Sequence, residues 1–308
     1  MTSRIGFLTR RPVAVAVAGA VFIATSGVLV RAADASPVTV AVFRCLYALP
    51  LLWLFSAIED RRLGPRPSHD RRLAGIAGLC LAVDLVLWHY TIDAVGAGLA
   101  TVLGNLQVLI VGFAAWLIFK EHLDRRILIA LPIVLSGVVF ISGFIGTGAY
   151  GDNPALGVLF GALASTAYAG FLLVLRHGSS DLRRVAGPLF DATLAAAIGS
   201  LAIGLVIGDL DLVPSWPSHG WLAVLALSSQ VIGWLLITLS LPRLAAALTS
   251  MLLLLQPVGA LGLGALIYDE DPSRLQIAGV VLILAGVVIS ASGRRGPRGA
   301  QTPEVAVD

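Results

Sequence analysis

The chain has 308 residues, 57% of them hydrophobic and only 13% charged, with a mean hydropathy of +0.92. Soluble domains carry about 25% charged residues, so a water-soluble fold is excluded and the excess apolar surface must face lipid. The net charge of +3 and pI near 9.2 would suit a nucleic-acid partner, but the basic residues prove to be sorted by membrane side, which excludes that reading.

Crossing about 30 Å of hydrocarbon as a helix takes about 20 apolar residues. Ten stretches qualify: residues 12–30, 37–57, 73–92, 94–119, 127–144, 154–175, 185–208, 220–241, 244–268 and 275–292. The first follows Thr9-Arg10-Arg11, which resembles a twin-arginine signal. Arg31 stands where a cleavage site needs a small neutral residue, so the segment is expected to be retained. Residues 293–308 form a polar tail, expected to be disordered in the cytoplasm.

A mid-helix Arg or Asp costs about 2.5–3.5 kcal/mol on insertion scales, so buried charges carry the most information. The second span holds Arg44, seven residues past Pro37, and the third holds Asp84, eight residues before Ile92. At 1.5 Å per residue both lie about 10–12 Å below one surface, and a pair between them is expected. It is read either as a substrate anchor with its counter-ion or as a staple between helices. Trp88 follows Asp84 by one turn, and its ring could stack on a substrate or only pack. His89 is read as interfacial.

The fourth span carries Asn105 and Gln107, the sixth Tyr168, and the seventh Asp191. Asp191 corresponds to Arg44 when PLFDA is laid on AVFRC; it is read as a proton carrier, an inner gate or a partner of a loop arginine. Gln230 and Trp234 lie one turn apart in the eighth span, and Gln256 lies in the ninth. The amides could read a substrate or bridge helices. Cys45 and Cys80 fall in apolar spans with no CxxC or Cys/His cluster, so neither a disulfide nor a metal is expected. Residues 146–151 match GxGxxG but follow no strand, so a nucleotide site is not expected. Gly157 with Gly161, and Gly204 with Gly208, are read as close helix contacts.

With the N-terminus inside, 18 of the 21 Lys+Arg fall on the inner side, including Arg61, Arg62, Arg66, Arg71 and Arg72 in one loop. Only Arg31 and Arg274 fall outside. This positive-inside pattern places both termini in the cytoplasm and the chain in the inner membrane. The basic pI is therefore topological.

A shift of 149 residues lays Glu121 on Glu270, Gln107 on Gln256, and Gly137-Val138-Val139 on Gly286-Val287-Val288. Each copy holds five spans, an odd number, so the second must be inverted. Inverted repeats are a common construction of secondary transporters. The expected fold is therefore an all-α integral membrane protein, ten transmembrane helices in two inverted five-helix repeats at 12–144 and 154–292. Glu121 and Glu270 sit at helix ends and are read as turn and cap residues.

The paired Leu-Ile-Phe-Lys-Glu and Leu-Ile-Tyr-Asp-Glu turns, the Leu255-Gln256-Pro257-Val258-Gly259 helix and Phe43-Arg44 resemble the EamA-type repeats of the drug/metabolite transporter superfamily. The likeness runs from about residue 12 to 292, and departs from the family where Val108 stands in place of the usual proline. It implies export or exchange of small organic metabolites, amino-acid-like or drug-like. The expected partners are a small-molecule substrate, the lipid bilayer and protons as coupling ion, with no nucleic acid and no cofactor. No P-loop, HExxH or GxSxG pattern occurs, so an enzyme is not expected. Two alternatives stay open: an intramembrane enzyme on lipid-linked substrates, and a non-transporting membrane scaffold.

Overall fold

The computed structural model describes residues 11–107, 109–111, 114, 117, 125–141, 145–146, 149–178, 181, 183–213, 215–240 and 255–291. The expectations for residues 1–10, Glu121, the first half of the ninth span and the tail at 293–308 lie outside the described residues.

Helices α1 (Pro12–Ala24) and α2 (Ser26–Ala33) make one crossing with an offset at Thr25, whose hydroxyl donates to the Phe22 carbonyl at 2.7 Å. Helix α3 (Pro37–Leu63) starts on two strong local signals: Ser36 caps it by accepting from Thr39 N, and Pro37 fills the first turn, where no N–H is needed. At 27 residues it reaches about 40 Å, so its charged end stands clear of the hydrocarbon.

Helix α4 (Ser68–Gly104) has 37 residues, about 55 Å and too long for one crossing. It breaks at Gly96, whose φ of 82° and ψ of 167° only glycine tolerates readily. The boundary between the third and fourth spans thus lies at Gly96, a few residues beyond its expected place at residue 93. The break frees the first N–H groups of a second limb at 97–104. Glu270 takes them, accepting from Ala97 N at 2.7 Å and Gly98 N at 3.1 Å. Glu270 is therefore a cap, as expected, but of a helix remote in sequence.

The remaining elements are α5 (Arg125–Ile141), α6 (Pro154–Gly178), α7 (Ala186–Ile207), α8 (Ser218–Leu225), a π-helical segment (Ala226–Gly233), α9 (Trp234–Ser240), α10 (Leu255–Tyr268) and α11 (Arg274–Ala291). The π segment, which was not foreseen, continues α8 into α9 as one 23-residue crossing. Six helical stretches are long and apolar enough to span a membrane among the described residues, and three shorter apolar helices accompany them. Side chains such as Leu205 (68% exposed), Ile198 (60%) and Leu266 (81%) cover the outside of this bundle. Such apolar exposure is stable only against lipid. The chain is an all-α integral membrane protein.

The internal repeat reappears as a packing relation. On α5, Gly137 lies where a Cβ would come within 2.7 Å of the Gly279 carbonyl and 2.8 Å of Ile283 on α11. On α11, Gly286 faces Val134 and the Ala130 carbonyl of α5. A shift of 149 carries Gly137, Ala130 and Val134 onto Gly286, Gly279 and Ile283. One set of contacts is the other with the helices exchanged. The two helices run antiparallel, as an inverted repeat requires of this pair. Gly137→Leu should therefore lower stability in detergent by about 1–3 kcal/mol through overpacking. Gly262→Ala, where no atom lies within 4 Å of the added Cβ, should leave the melting temperature unchanged. Equal melting for both variants would contradict this packing.

The GxxxG readings divide. Gly157 and Gly161 do press α6 onto α4, with a Cβ at Gly161 only 2.9 Å from Leu103 Cβ, and Gly204 packs on Val38. Gly208 instead caps α7 at a positive φ of 78° with nothing within 4 Å of an added Cβ. It is a stop residue.

Candidate substrate site

Helix α3 presents Val40, Arg44, Ala48 and Leu52 four residues apart, and all four are buried. The period of 3.6 residues puts them on one face. Arg44 is the polar member, 4% exposed. Its Nε donates to Gln230 Oε1 at 3.0 Å and its Nη2 to Ser229 Oγ at 3.3 Å. Gln230, fully buried, passes the network on by donating to Thr193 Oγ1 on α7 at 3.2 Å. Both acceptors belong to the π segment. Successive residues of a π-helix are separated by less than the 100° of an α-helix, which lets two neighbours address one guanidinium. Such segments often occur at functional positions.

The guanidinium also stands 6.0 Å from the centroid of the Trp88 ring, the outer limit of a cation–π contact. Asp84, a turn earlier on α4, is half-buried and within electrostatic reach of Arg44 and Tyr168. It forms no ion pair with Arg44 within 4.0 Å and has no hydrogen bond among the described residues. The expected Arg44–Asp84 staple is corrected on this point. The depths do match, but the arginine fork turns sideways to the neutral oxygens of the π segment.

Aromatic rings extend the region from Tyr168, which is within electrostatic reach of Arg44. Tyr168 stacks on Phe171 at 5.7 Å between centroids, and Trp234 meets both edge-on at 6.1 and 5.7 Å. The structure thus gathers Arg44, Asp84, Trp88, Tyr168, Gln230 and Trp234 in one region. Sequence reasoning missed Ser229, Thr193 and Phe171. The run Ser228-Ser229-Gln230 ahead of Gly233 in an apolar span was the available signal.

The other predicted residues go elsewhere. Asn105 spends its amide N–H on the Thr101 carbonyl of its own helix at 2.8 Å. Gln107 keeps a buried Oε1 with no hydrogen-bond partner, and neither it nor Gln256 bonds to the Arg44 network. Asp191 is bound by Arg66, with Arg71 at 3.5 Å, so the structure favours the loop-arginine alternative. His89 is fully buried, not interfacial, with Nδ1 on the Pro37 carbonyl at 3.0 Å. Cys45 is buried as expected, whereas Cys80 is only half-buried; both are free thiols.

Asp191 belongs to a second polar cluster at the arginine-rich face. There Glu59 caps α7, accepting from Val185 N, Ala186 N and Gly187 N at 2.8–2.9 Å. Arg184 donates to Asp60 at 2.7 Å and to the Leu63 and Gly64 carbonyls that end α3. In the loop ahead, hydrogen bonds from the Arg183 side chain and backbone pull the Asp181 carboxyl down to about 2, so it stays ionised at any physiological pH. At the opposite face a cavity of about 380 Å³ is lined by Arg31, Ile92, Asp93, Gly96, Tyr150, Gly151 and Asp152. The GxGxxG stretch contributes to its wall and has no strand before it.

A helical bundle with an apolar outside, a buried arginine, a nearby carboxyl group without an ion pair among the described residues and a cluster of aromatic rings defines a class: membrane proteins with an internal polar region. The model of the EamA-like transporter family matches residues 10–143 and 155–292, and the chain belongs to that family. It is 24% identical to the uncharacterized transporter YcbK of Bacillus subtilis (strain 168), over 82% of this chain and 84% of that protein. A shorter likeness, 27% over 78 residues, links 25% of this chain to 70% of the probable 4-amino-4-deoxy-L-arabinose-phosphoundecaprenol flippase subunit ArnE of Salmonella newport (strain SL254). A solved crystal structure 17% identical in sequence superposes with a TM-score of 0.60, covering 91% of this chain and 97% of that one, and shares the fold.

Proposed function

We propose that this membrane transporter is a secondary carrier of small zwitterionic, amino-acid-like metabolites, working as an exporter or exchanger by alternating access. The arginine-rich face is the cytoplasmic one, in line with the positive-inside pattern, and the chain lies in the inner membrane with both termini inside. The observation that carries the reading is Asp84: a half-buried carboxyl group in a membrane helix with no hydrogen bond or ion pair among the described residues, near an arginine already held by two neutral side chains. An isolated charge at this depth is costly, and a ligand ammonium would offset it. The ligand carboxylate then falls to Nη1 of Arg44, which makes no hydrogen bond among the described residues, and its side chain to Trp88, Tyr168 and Trp234. Between substrates a proton on Asp84 would serve the same purpose, which makes it the coupling residue if transport is proton-linked. The likeness to a flippase subunit covers a quarter of the chain and supports membrane transport without favouring a lipid-linked cargo.

The test is ligand-dependent thermal stabilisation of the purified protein. A panel of amino acids should contain at least one that raises the melting temperature, while its methyl ester and its N-acetyl derivative do not. Asp84→Asn should remove the effect of that amino acid. Equal stabilisation by the ester would take the carboxylate out of the recognition, and stabilisation only by apolar cations would point to drug-like cargo.

A further inference from the structure

Glu270 has 1% of its side chain exposed, yet it lies in the turn between α10 and α11 rather than in a span. Its Oε1 accepts from Arg31 Nη1 and from Ala97 N, both at 2.7 Å, and its Oε2 accepts from Gly98 N at 3.1 Å. Anions are favoured at such a helix start, where free N–H groups converge. The sequence makes room for the carboxylate: a Cβ at Gly96 would lie 2.8 Å from its Cδ, and one at Gly264 would strike Oε2. Arg31 is held in turn over the Tyr268 ring at 4.3 Å. The contact joins three elements, the end of α2 and the second limb of α4 from one repeat and the α10–α11 turn from the other.

Its two sides differ. Glu270 is dry, whereas Arg31 is 31% exposed and, with Gly96, borders the 380 Å³ cavity. Two further carboxylates, Asp93 and Asp152, line that cavity and offer Arg31 somewhere else to go. A charge-assisted contact with a water-facing partner and competing acceptors can open without stranding a cation.

We propose that Glu270 is a positioning residue for transport: the outer latch that holds the two repeats together over the Arg44 site and must release once in each cycle. It touches no substrate. The inference rests on the alternating-access reading, but its test does not need the substrate to be known.

The buried stripe on α3 supplies paired reporters, because Val40 and Leu52 flank Arg44 towards the latch end and the arginine-rich end. In full-length protein with Cys45 and Cys80 replaced by alanine, Val40→Cys is labelled from outside and Leu52→Cys from inside with a membrane-impermeant maleimide. Glu270→Gln should speed labelling at Val40→Cys about tenfold and slow it at Leu52→Cys. Arg31→Gln, which leaves the two backbone contacts of Glu270 in place, should shift both reporters the same way and serves if Glu270→Gln does not insert. Arg31→Lys, which keeps a cation, should restore the wild-type pattern. Unchanged labelling at both positions would overturn the proposal. So would a rise at both, which is the signature of a loosened bundle. A reciprocal shift with no flux for any zwitterion would uphold the latch and sink the substrate assignment.

Discussion

Replacing Arg44 by alanine is expected to cut flux about 100-fold or more while the protein still inserts. The side chain makes two hydrogen bonds in a buried network, to Gln230 at 3.0 Å and Ser229 at 3.3 Å. Hydrogen bonds from a charged donor contribute about 1.5–3 kcal/mol each, and stranding the buried Gln230 carbonyl adds a penalty of similar size. Those two losses lower stability; flux falls because the charge-assisted contact to the ligand carboxylate is lost as well, and about 3 kcal/mol of binding is two factors of ten. Arg44→Lys should recover little of this, because an ammonium cannot address two acceptors on neighbouring residues as a planar fork does. The coupling can be read directly. A double-mutant cycle on melting in detergent should show a larger interaction energy for Arg44 with Gln230 than for Arg44 with Asp84. The reverse order would reinstate the direct Arg44–Asp84 pair.

How far this site could be read in advance follows from what each feature depends on. Arg44, Asp84, Gln230 and the tryptophans stand out in the sequence because polar groups in lipid are expensive, a property of the residue alone. Their depths follow from helix rise, also a local quantity. Which way Arg44 turns across the bundle depends on the π segment at 226–233, and no apolar count reveals an extra backbone residue in a helical turn. Asp191 shows the limit of the repeat. Sequence alignment lays it on Arg44, but its partners are Arg66, in the loop after α3, and Arg71, in the first turn of α4, and the inverted copy has no arginine at the matching connection. The repeat itself was legible because polar residues recurred at a fixed offset, and the exchanged contacts of Gly137 and Gly286 agree with it. The break at Gly96 lay near a visible boundary. Its capping by Glu270, 172–173 residues further on, needed the fold.

Asp191→Ala should act almost wholly on stability. The carboxylate is 9% exposed and neutralises Arg66, whose side chain is only 5% exposed and already has Nε and Nη1 without partners. Removing one member of a buried pair costs about 3–5 kcal/mol, because the other charge stays buried. Expression and melting temperature should fall steeply. Adding Arg66→Leu should return much of the loss, since an apolar replacement of both partners is often neutral. Flux per folded molecule in the double variant should stay within about twofold of wild type. A stable Asp191→Ala protein that carries nothing would return Asp191 to the role of proton carrier.

The two polar clusters thus divide the work. The contacts of Glu59, Arg184, Arg66 and Asp191 fasten the arginine-rich face, and those of Glu270 and Arg31 fasten the opposite one. Between them lie the Arg44 network and the Asp84 carboxyl, which do not join among the described residues and are proposed to take the two ends of a zwitterion.

Counterflow in proteoliposomes tests that account most directly. Purified protein is reconstituted with an unlabelled amino acid inside, and entry of the same labelled amino acid is followed for each member of the stabilising panel. At least one should enter transiently against its gradient, faster with unlabelled amino acid inside than without, and Arg44→Ala and Asp84→Asn should both abolish that overshoot while the Asp191→Ala/Arg66→Leu protein keeps it. An overshoot that survives Arg44→Ala and Asp84→Asn would contradict the site, and the absence of counterflow for every stabilising amino acid would contradict the carrier itself.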